Sequence, residues 1–500
     1  MLFASWIAFF AASTSPTLTP QNSEMSSANY SGQKVLKVQI RSQADLDRVQ
    51  DLASDIWTHH WRSPKNDSVT FSIAPDQFTK QNLIGLDYKI IHHDLQIDID
   101  RQFDLVSQRR ELWSPNHSLR GDITDYLNLE EIEARIDQYA IDYPDLVKIE
   151  EIGRSVENRP IRVLRANGKA STDGNTKAAI LLLGGHHARE WLAHHATLCV
   201  TNRLVTGYGT DAVATKWLDS FEYMVISIGN PDGYAFTWDP AGDRLWRKNR
   251  GHNKQGVDLN RNWDVAWGTA SSSDPSSESF HGTGPFSEPE TAAYSAFINA
   301  NPQIRGFMDI HAFGSVILYP YGYTFENASN HDQLVSISDE MSQAMGMVGE
   351  KYAPIKITDF AGEVSGSSLD WVQDNASDVV SLALEVRGES FVVDASNIQP
   401  TCDEIYTAIL KLLEHLPANN SDDDDDSETG GSDTGGIETD SDTDSSDDEK
   451  EGCGCTSTSS NPRDIGAHGP WSLGLLVAFL FFRRSNRSHS SRRINGDAKT

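Results

Sequence analysis

The sequence predicts an α/β protein: a mixed, mostly parallel sheet with helices on both faces, preceded by a small α/β unit. Three observations carry this. The runs AAILLL, YMVISI, IRGFMDI and VVSLALEV are near-continuously apolar, as expected of strands buried on both faces. Amphipathic helical stretches lie between them. Hydrophobic residues make up 38% of 500, enough for a large core, which excludes wholesale disorder. The formal charge of −30 excludes nucleic acid as a partner.

Taken in order, the chain opens on the apolar dozen MLFASWIAFFAA, too short to span a bilayer. Residues 1–20 read as a secretory signal peptide, though without the usual basic start. Residues 30–110 form the small unit. KVLKVQI and VTFSI read as strands. Ser42 caps a helix with Leu46, Val49, Leu52 and Ile56 at spacings of three and four, and Gln77 to Leu86 reads as a second helix. A polar stretch follows. It holds the pair Arg109-Arg110 and then Arg120, each a candidate cleavage point for a trypsin-like protease.

The main domain spans 120–417. Asn128 and Glu131 form a capping box for a helix through Leu129, Ile132, Ile136 and Tyr139, which must stop before Pro144. Strands follow at LVKIEEI and IRVL and at the four apolar runs. Ser287 and Glu290 propose a second capping box. Cys199 and Cys402 read as buried thiols or as one disulfide; four cysteines are too few for a disulfide scaffold.

Residues 418–456 are an acidic disordered linker: between Ser421 and Gly452, fifteen Asp or Glu face the single Lys450. In residues 465–500 the run Trp471 to Phe482 is followed by Arg483, Arg484, Arg487, Arg492 and Arg493. With Cys453 and Cys455 ahead of it, this order resembles bacterial C-terminal sorting tails. It is read as a processing signal or, alternatively, as a transmembrane anchor, and it suggests a Gram-negative source.

The chemistry lies where strands end. After AAILLL come His187 and Glu190, three apart at a helix opening, and after IRGFMDI comes His311. Two ligands on a short span, one distant histidine and a fourth place for water make the pattern of a catalytic zinc site. VVSLALEV delivers Glu385 into an apolar run, where a carboxylate is costly unless it moves protons or pairs with Arg387. Arg189, Arg244, Arg247, Arg250 and Arg261 crowd nearby loops, and a guanidinium can grip a carboxylate through two parallel hydrogen bonds.

Eight blocks occur in order: GHHAREW, NPDGY, RLWRKNR, GVDLNRNWD, FHGTGPFSEPE, DIHAFGSVILYPYGY, GSSLDW and LALEVR. Together they closely resemble the zinc metallocarboxypeptidases of the pancreatic carboxypeptidase A/B type, and the 30–110 unit resembles that family's activation propeptide. The resemblance implies a secreted or cell-surface enzyme, made as a zymogen, that removes one residue from peptide or protein C-termini as a monomer. One Zn2+ would be held by His187, Glu190 and His311. Glu385 would be general base and acid, assisting attack of zinc-bound water, and Arg247 would hold the oxyanion. Asn260 and Arg261 would clamp the substrate's free carboxylate, with Arg189 a subsidiary contact. Asp258 would orient a ligand histidine. Leu369, with the uncharged Gly322, implies an apolar pocket that favours apolar or aromatic terminal residues.

The sequence departs from that pattern at the tyrosine that closes over substrate. Counting from either side lands on Phe360 or on Gly362, neither with a hydroxyl. Ala312-Phe313 stands where a Ser-Tyr pair is common. The rival readings are a non-catalytic binding module, an enzyme for cell-wall peptides, and a surface protein whose tail matters most. The intact ligand and base positions speak against the first, Asn260, Arg261 and the propeptide against the second, and the eight blocks against the third.

Overall fold

The computed structural model describes residues 28–58, 68–112, 120–169, 176–376 and 378–417. The apolar start, the acidic linker, Cys453, Cys455 and the Arg-rich end lie outside the described residues. Among the described residues no helix is long and apolar enough to cross a membrane.

The N-terminal layer holds β1 (Lys34–Gln39), α1 (Gln43–Leu52), β2 (Ala53–Ile56), β3 (Ser68–Ile73), α2 (Lys80–Leu83), β4 (Asp87–His92) and α3 (Leu95–Leu112). Its sheet has the order β2-β3-β1-β4, antiparallel throughout. Ser42 caps α1 as expected, its hydroxyl accepting from Asp45 N. Ile56 is not on that helix. The chain turns extended at Ala53, and Ile56 pairs with Phe71 on β3. The second expected helix is one turn long, because β4 follows at once and completes the sheet beside β1.

The polar stretch that follows is also ordered, as α3. Leu95, Gln96, Ile99, Gln102 and Val106 form its buried stripe, so a helical period is present within a strongly charged sequence. Arg109 and Arg110 sit in its last turn. They pair with Asp125 and Glu131 respectively, at two-thirds burial of each side chain, whereas Arg120 keeps 56% of its side chain exposed.

The main domain holds α4 (Leu129–Asp142), β5 (Val147–Arg154), β6 (Pro160–Ala166), β7 (Ala179–Gly184), α5 (Trp191–Gly207), α6 (Ala212–Ser220), β8 (Glu222–Ile226) and α7 (Pro231–Trp238). After a long irregular stretch come α8 (Pro289–Ala300), β9 (Ile304–Ala312), β10 (Val316–Tyr319), α9 (His331–Val348), β11 (Ala353–Lys356), α10 (Ile357–Ala361), α11 (Ser368–Asn375), β12 (Val380–Val386) and α12 (Ile398–Glu414). The eight strands run β11-β10-β12-β9-β7-β8-β6-β5. The four pairings within β8-β7-β9-β12 and at β10-β11 are parallel; the other three are antiparallel. The mixed sheet is as the sequence predicts, with β10 and β11 added at an edge.

Helices cover both faces, and β7 shows why its sequence has no polar side. Ile180 and Leu182 enter the core under α4, α5 and α12, while Ala179, Leu181 and Leu183 enter the core under α8 and α11. Each fully buried aliphatic side chain stabilises the fold by about 1.5–3 kcal/mol. The Asn128/Glu131 capping box is complete. The Ser287/Glu290 box does not form. Pro289 starts the helix one residue later, and Glu290 instead accepts from Val156 N and Asn249 Nδ2.

Cys199 on α5 and Cys402 on α12 form a disulfide across 203 residues of chain, with Cα atoms 5.8 Å apart. Closing so long a loop restricts the unfolded chain. Replacing both cysteines by alanine should lower unfolding stability by about 2–5 kcal/mol. Denaturant midpoints check this; a loss under about 0.5 kcal/mol, the range of ordinary surface changes, would show the link to be energetically idle.

Candidate metal centre and substrate cleft

β7, β9 and β12 lie near one another in the sheet and run parallel, so their carboxyl ends open on one place. Just beyond β7, Gly185 adopts φ +81°, and a Cβ there would lie 2.0 Å from His194 Cε1, so only glycine fits the turn. The turn delivers His187 and Glu190, both ahead of α5, with Glu190 at the N-cap position. β9 delivers His311. Its register partner across the sheet is Glu385 of β12.

Three donor groups converge. His187 Nδ1 lies 2.8 Å from Glu190 Oε1, His311 Nδ1 lies 3.1 Å from Glu190 Oε2, and the two Nδ1 atoms are 3.1 Å apart. Ligands of a tetrahedral zinc at ~2.0–2.2 Å stand roughly 3.3 Å from one another, close to these separations. The far nitrogens of both rings face carboxylates: His187 Nε2 is 3.1 Å from Asp258 Oδ1, and His311 Nε2 is 2.9 Å from Asp309 Oδ2. With Nε2–H donated backward, both Nδ1 lone pairs point at a shared spot, which is stable when a cation fills it. The donor set fits zinc.

Around this centre the cleft is lined by Glu385, Arg247, Asn260, Arg261, Leu318, Leu369 and Ala383. Burial pushes the Glu385 carboxyl up to about 8, against the pull of His311 and Arg247 and with the repulsion of Glu190 and Asp309. Its alternative partner is taken: Arg387 pairs with Glu404. Arg247 donates Nη2–H to Asp258 Oδ2 at 3.0 Å and stands 3.6 Å from Glu190 Oε1. Burial raises the cost of the Asp258 charge, yet Arg247, Arg261 and His187 hold its carboxyl well below the usual range. Arg261 donates Nη1–H to the Asn260 carbonyl at 2.7 Å. The loop above it requires Gly366 at φ +71°, because a Cβ there would meet the Arg261 carbonyl at 2.2 Å.

Leu369 packs with Val316, Leu318, Ile357 and Ala383, an apolar floor. Neighbouring Asp370 turns away and accepts from Gly322 N at 3.0 Å. Of the two residues that could replace the closing tyrosine, Phe360 lines the cleft. The other expected residues serve elsewhere. Arg244 stacks on Trp191 and Arg250 on Phe236, each at 3.7 Å. His195 donates to Trp191 O and accepts from Leu127 N, a core histidine that burial pushes down to about 3. Sequence reading missed Asp309. Its signal was a place two residues before His311 on one strand, which puts both side chains on the same face.

The N-terminal layer covers this cleft. Arg189 does not line it; its Nη1 donates to Asp55 Oδ2 of β2 at 2.9 Å, and its guanidinium stacks on Phe391. Trp57 and Thr58 enter the cleft, with the Trp57 ring 5.1 Å from Phe391. Lys37 and Lys89 both pair with Glu389, just beyond β12. The cavity left beside them, about 60 Å³, has room for a few waters.

These features have known counterparts. The zinc carboxypeptidase family profile matches residues 132–408. Carboxypeptidase A5 of Homo sapiens is 33% identical over 403 residues, covering 77% of this chain and 91% of that protein. Carboxypeptidase A1 of Sus scrofa is 32% identical over 408 residues, covering 77% and 94%. Among solved structures, carboxypeptidase A from Helicoverpa armigera matches with TM-score 0.68 and 28% identity over 77% of this chain and 97% of that one. Thrombin activatable fibrinolysis inhibitor matches with TM-score 0.68 and 27% identity over 77% and 99%. With converging histidines and carboxylate, matching sheet and matching sequence in hand, the chain belongs to the zinc carboxypeptidase family and is a metallocarboxypeptidase with zinc as its cofactor.

Proposed function

We propose that the protein is a secreted zymogen whose activated form releases single apolar or aromatic residues from peptide C-termini. The observation that carries this is the shared cleft: Glu385, Arg247, Arg261 and Leu369 surround the point where His187, Glu190 and His311 converge. In this reading those three residues hold zinc, which when bound acidifies a water and polarises a carbonyl. Glu385 takes the water's proton and passes it to the leaving amine. Arg247 donates hydrogen bonds to the developing oxyanion. Asn260 and Arg261 grip the free carboxylate, and Leu369 floors the side-chain pocket.

The contacts of Asp55, Trp57 and Thr58 support a blocking role for the N-terminal layer, with Arg189 freed for substrate once the layer leaves. Arg120, which pairs with Asp142 yet is more exposed than Arg109 and Arg110, is the favoured cut for a trypsin-like protease. The Cys199–Cys402 bond suits an oxidising, extracellular destination. In this reading the C-terminal tail is cleaved or anchors the enzyme at the surface of a Gram-negative cell.

The test gives the full chain, intact or cut by trypsin, peptides ending in Phe, Leu, Lys, Glu or a C-terminal amide. Products are weighed by mass spectrometry. The cut chain should release Phe and Leu, turn over the amide only as a slow residual reaction, and outpace the intact chain at least tenfold. Equal rates for both forms would overturn the zymogen reading, and release of Lys would overturn the apolar pocket.

A further inference from the structure

Behind His311 lies a second buried pair that the reaction above does not use. Asp309 Oδ1 is 3.1 Å from His186 Nδ1, while Asp309 Oδ2 is 2.9 Å from His311 Nε2 and also accepts from the Ser368 hydroxyl. His186 and Asp309 are fully buried. The His186 ring lies parallel to that of His311, 5.8 Å between centres, and is boxed edge-on by Trp263 and Tyr294. Its Nε2 is buried without a hydrogen-bond partner. An apolar side chain would fill that box without leaving an orphaned nitrogen, which costs free energy. What the histidine adds is an N–H on Nδ1, and that N–H faces Asp309.

The second observation is a competition at His311 Nε2. Asn260 Nδ2 stands 3.2 Å from the same nitrogen. An amide N–H needs a lone pair there, and a carboxylate needs a proton there; both cannot be met. The charged acceptor is nearer and makes the stronger bond. Without it the amide would claim Nε2, and the ring proton would move to Nδ1, which already has an acceptor in Glu190 Oε2 at 3.1 Å. A ring protonated on Nδ1 cannot ligate a metal from that atom.

We propose that Asp309, braced by His186, is a positioning residue that fixes His311 in the tautomer able to bind zinc. Asp258 stands in the same relation to His187. His186 keeps the Asp309 carboxylate from turning wholly toward Ser368. The proposal rests on the ligand set His187, Glu190 and His311 given above.

The test uses the full chain with Asp309→Asn, His186→Leu and, as control, His187→Ala. Zinc affinity is read by competition with a coloured chelator, and the absorption bands of the cobalt-loaded protein are recorded at saturating Co2+. Melting is followed without metal. Asp309→Asn should weaken zinc by roughly 10–100-fold, the usual scale for a residue that orients a metal ligand. His186→Leu should weaken it less, and both should shift the cobalt bands. Zinc binding within threefold of the parent and unchanged cobalt bands in Asp309→Asn would overturn the proposal. If Asp309→Asn melts below working temperature, His186→Leu decides: parent affinity and parent bands overturn the brace. A His187→Ala chain that keeps parent zinc affinity would instead sink the ligand set itself.

Discussion

Glu385→Gln should lower kcat by roughly 10²–10⁴-fold, the range that a positioned acid-base group supplies, while zinc content stays at one per chain. The amide keeps the carboxylate's size, but it cannot accept a proton from water and hand it to an amine. Stability should move the other way. Burial holds the Glu385 carboxyl up at about 8 in the metal-free protein, against an unfolded value of about 4.3. A carboxyl raised on folding favours the folded chain least at high pH, so its cost grows as pH climbs from about 4.3 through about 8. Metal-free Glu385→Gln should therefore melt no lower than the parent at pH 7, with an advantage that shrinks toward pH 4. Turnover of a Phe-terminated peptide and melting curves at several pH values check both halves. Residual kcat above a tenth of the parent would remove Glu385 from the mechanism, and a variant that melts lower at neutral pH would contradict the electrostatic account.

The other large effect is expected at Arg261. It is buried, carries its charge beside Arg247 and Asp258, and borders the cleft. Removing one member of a buried charged pair costs about 2–5 kcal/mol, so Arg261→Ala should lower kcat/KM for a free-carboxylate peptide by roughly 30- to 5,000-fold. Most of the loss should appear in KM, because the clamp grips a group that takes no part in the bonds made and broken. Arg261→Lys should recover only part of it, since a point charge cannot make two parallel hydrogen bonds. The discriminating control is the C-terminal amide peptide. Its slow cleavage should be the same in parent and variant. A variant that loses amide and acid peptides equally would show Arg261 to be structural.

Much of this was legible in the sequence because the sheet is buried on both sides. AAILLL and VVSLALEV could hardly be anything but interior strands, and His187, Glu190, His311 and Glu385 stand where such runs end. The short strand β11 at the edge and β10 beside it, at four residues each, carry no such signal. The helix α3 was hidden by composition: its buried stripe includes two glutamines, which pattern reading counts as surface. Ile56 matched a helical spacing by coincidence and was claimed by β3, since pairing in a sheet outweighs a three-or-four period extended by one residue. Asp309 was missed because a lone acid in an apolar run reads as an exception until its two histidine partners are seen together.

Ser368 has one further consequence. Its backbone N–H binds the Asn260 side chain, its hydroxyl binds Asp309 behind His311, and its neighbour in sequence is Leu369. In the proposed reading, the grip on a chain end, the place of bond cleavage and the floor that receives a side chain are thus tied to two adjacent residues at the start of one helix. The cleft then works as a ruler with a single graduation. On those roles each cut would shorten the peptide by one residue and present a new end at the same mark, so trimming would proceed in unit steps and stall at the first end whose side chain the floor rejects.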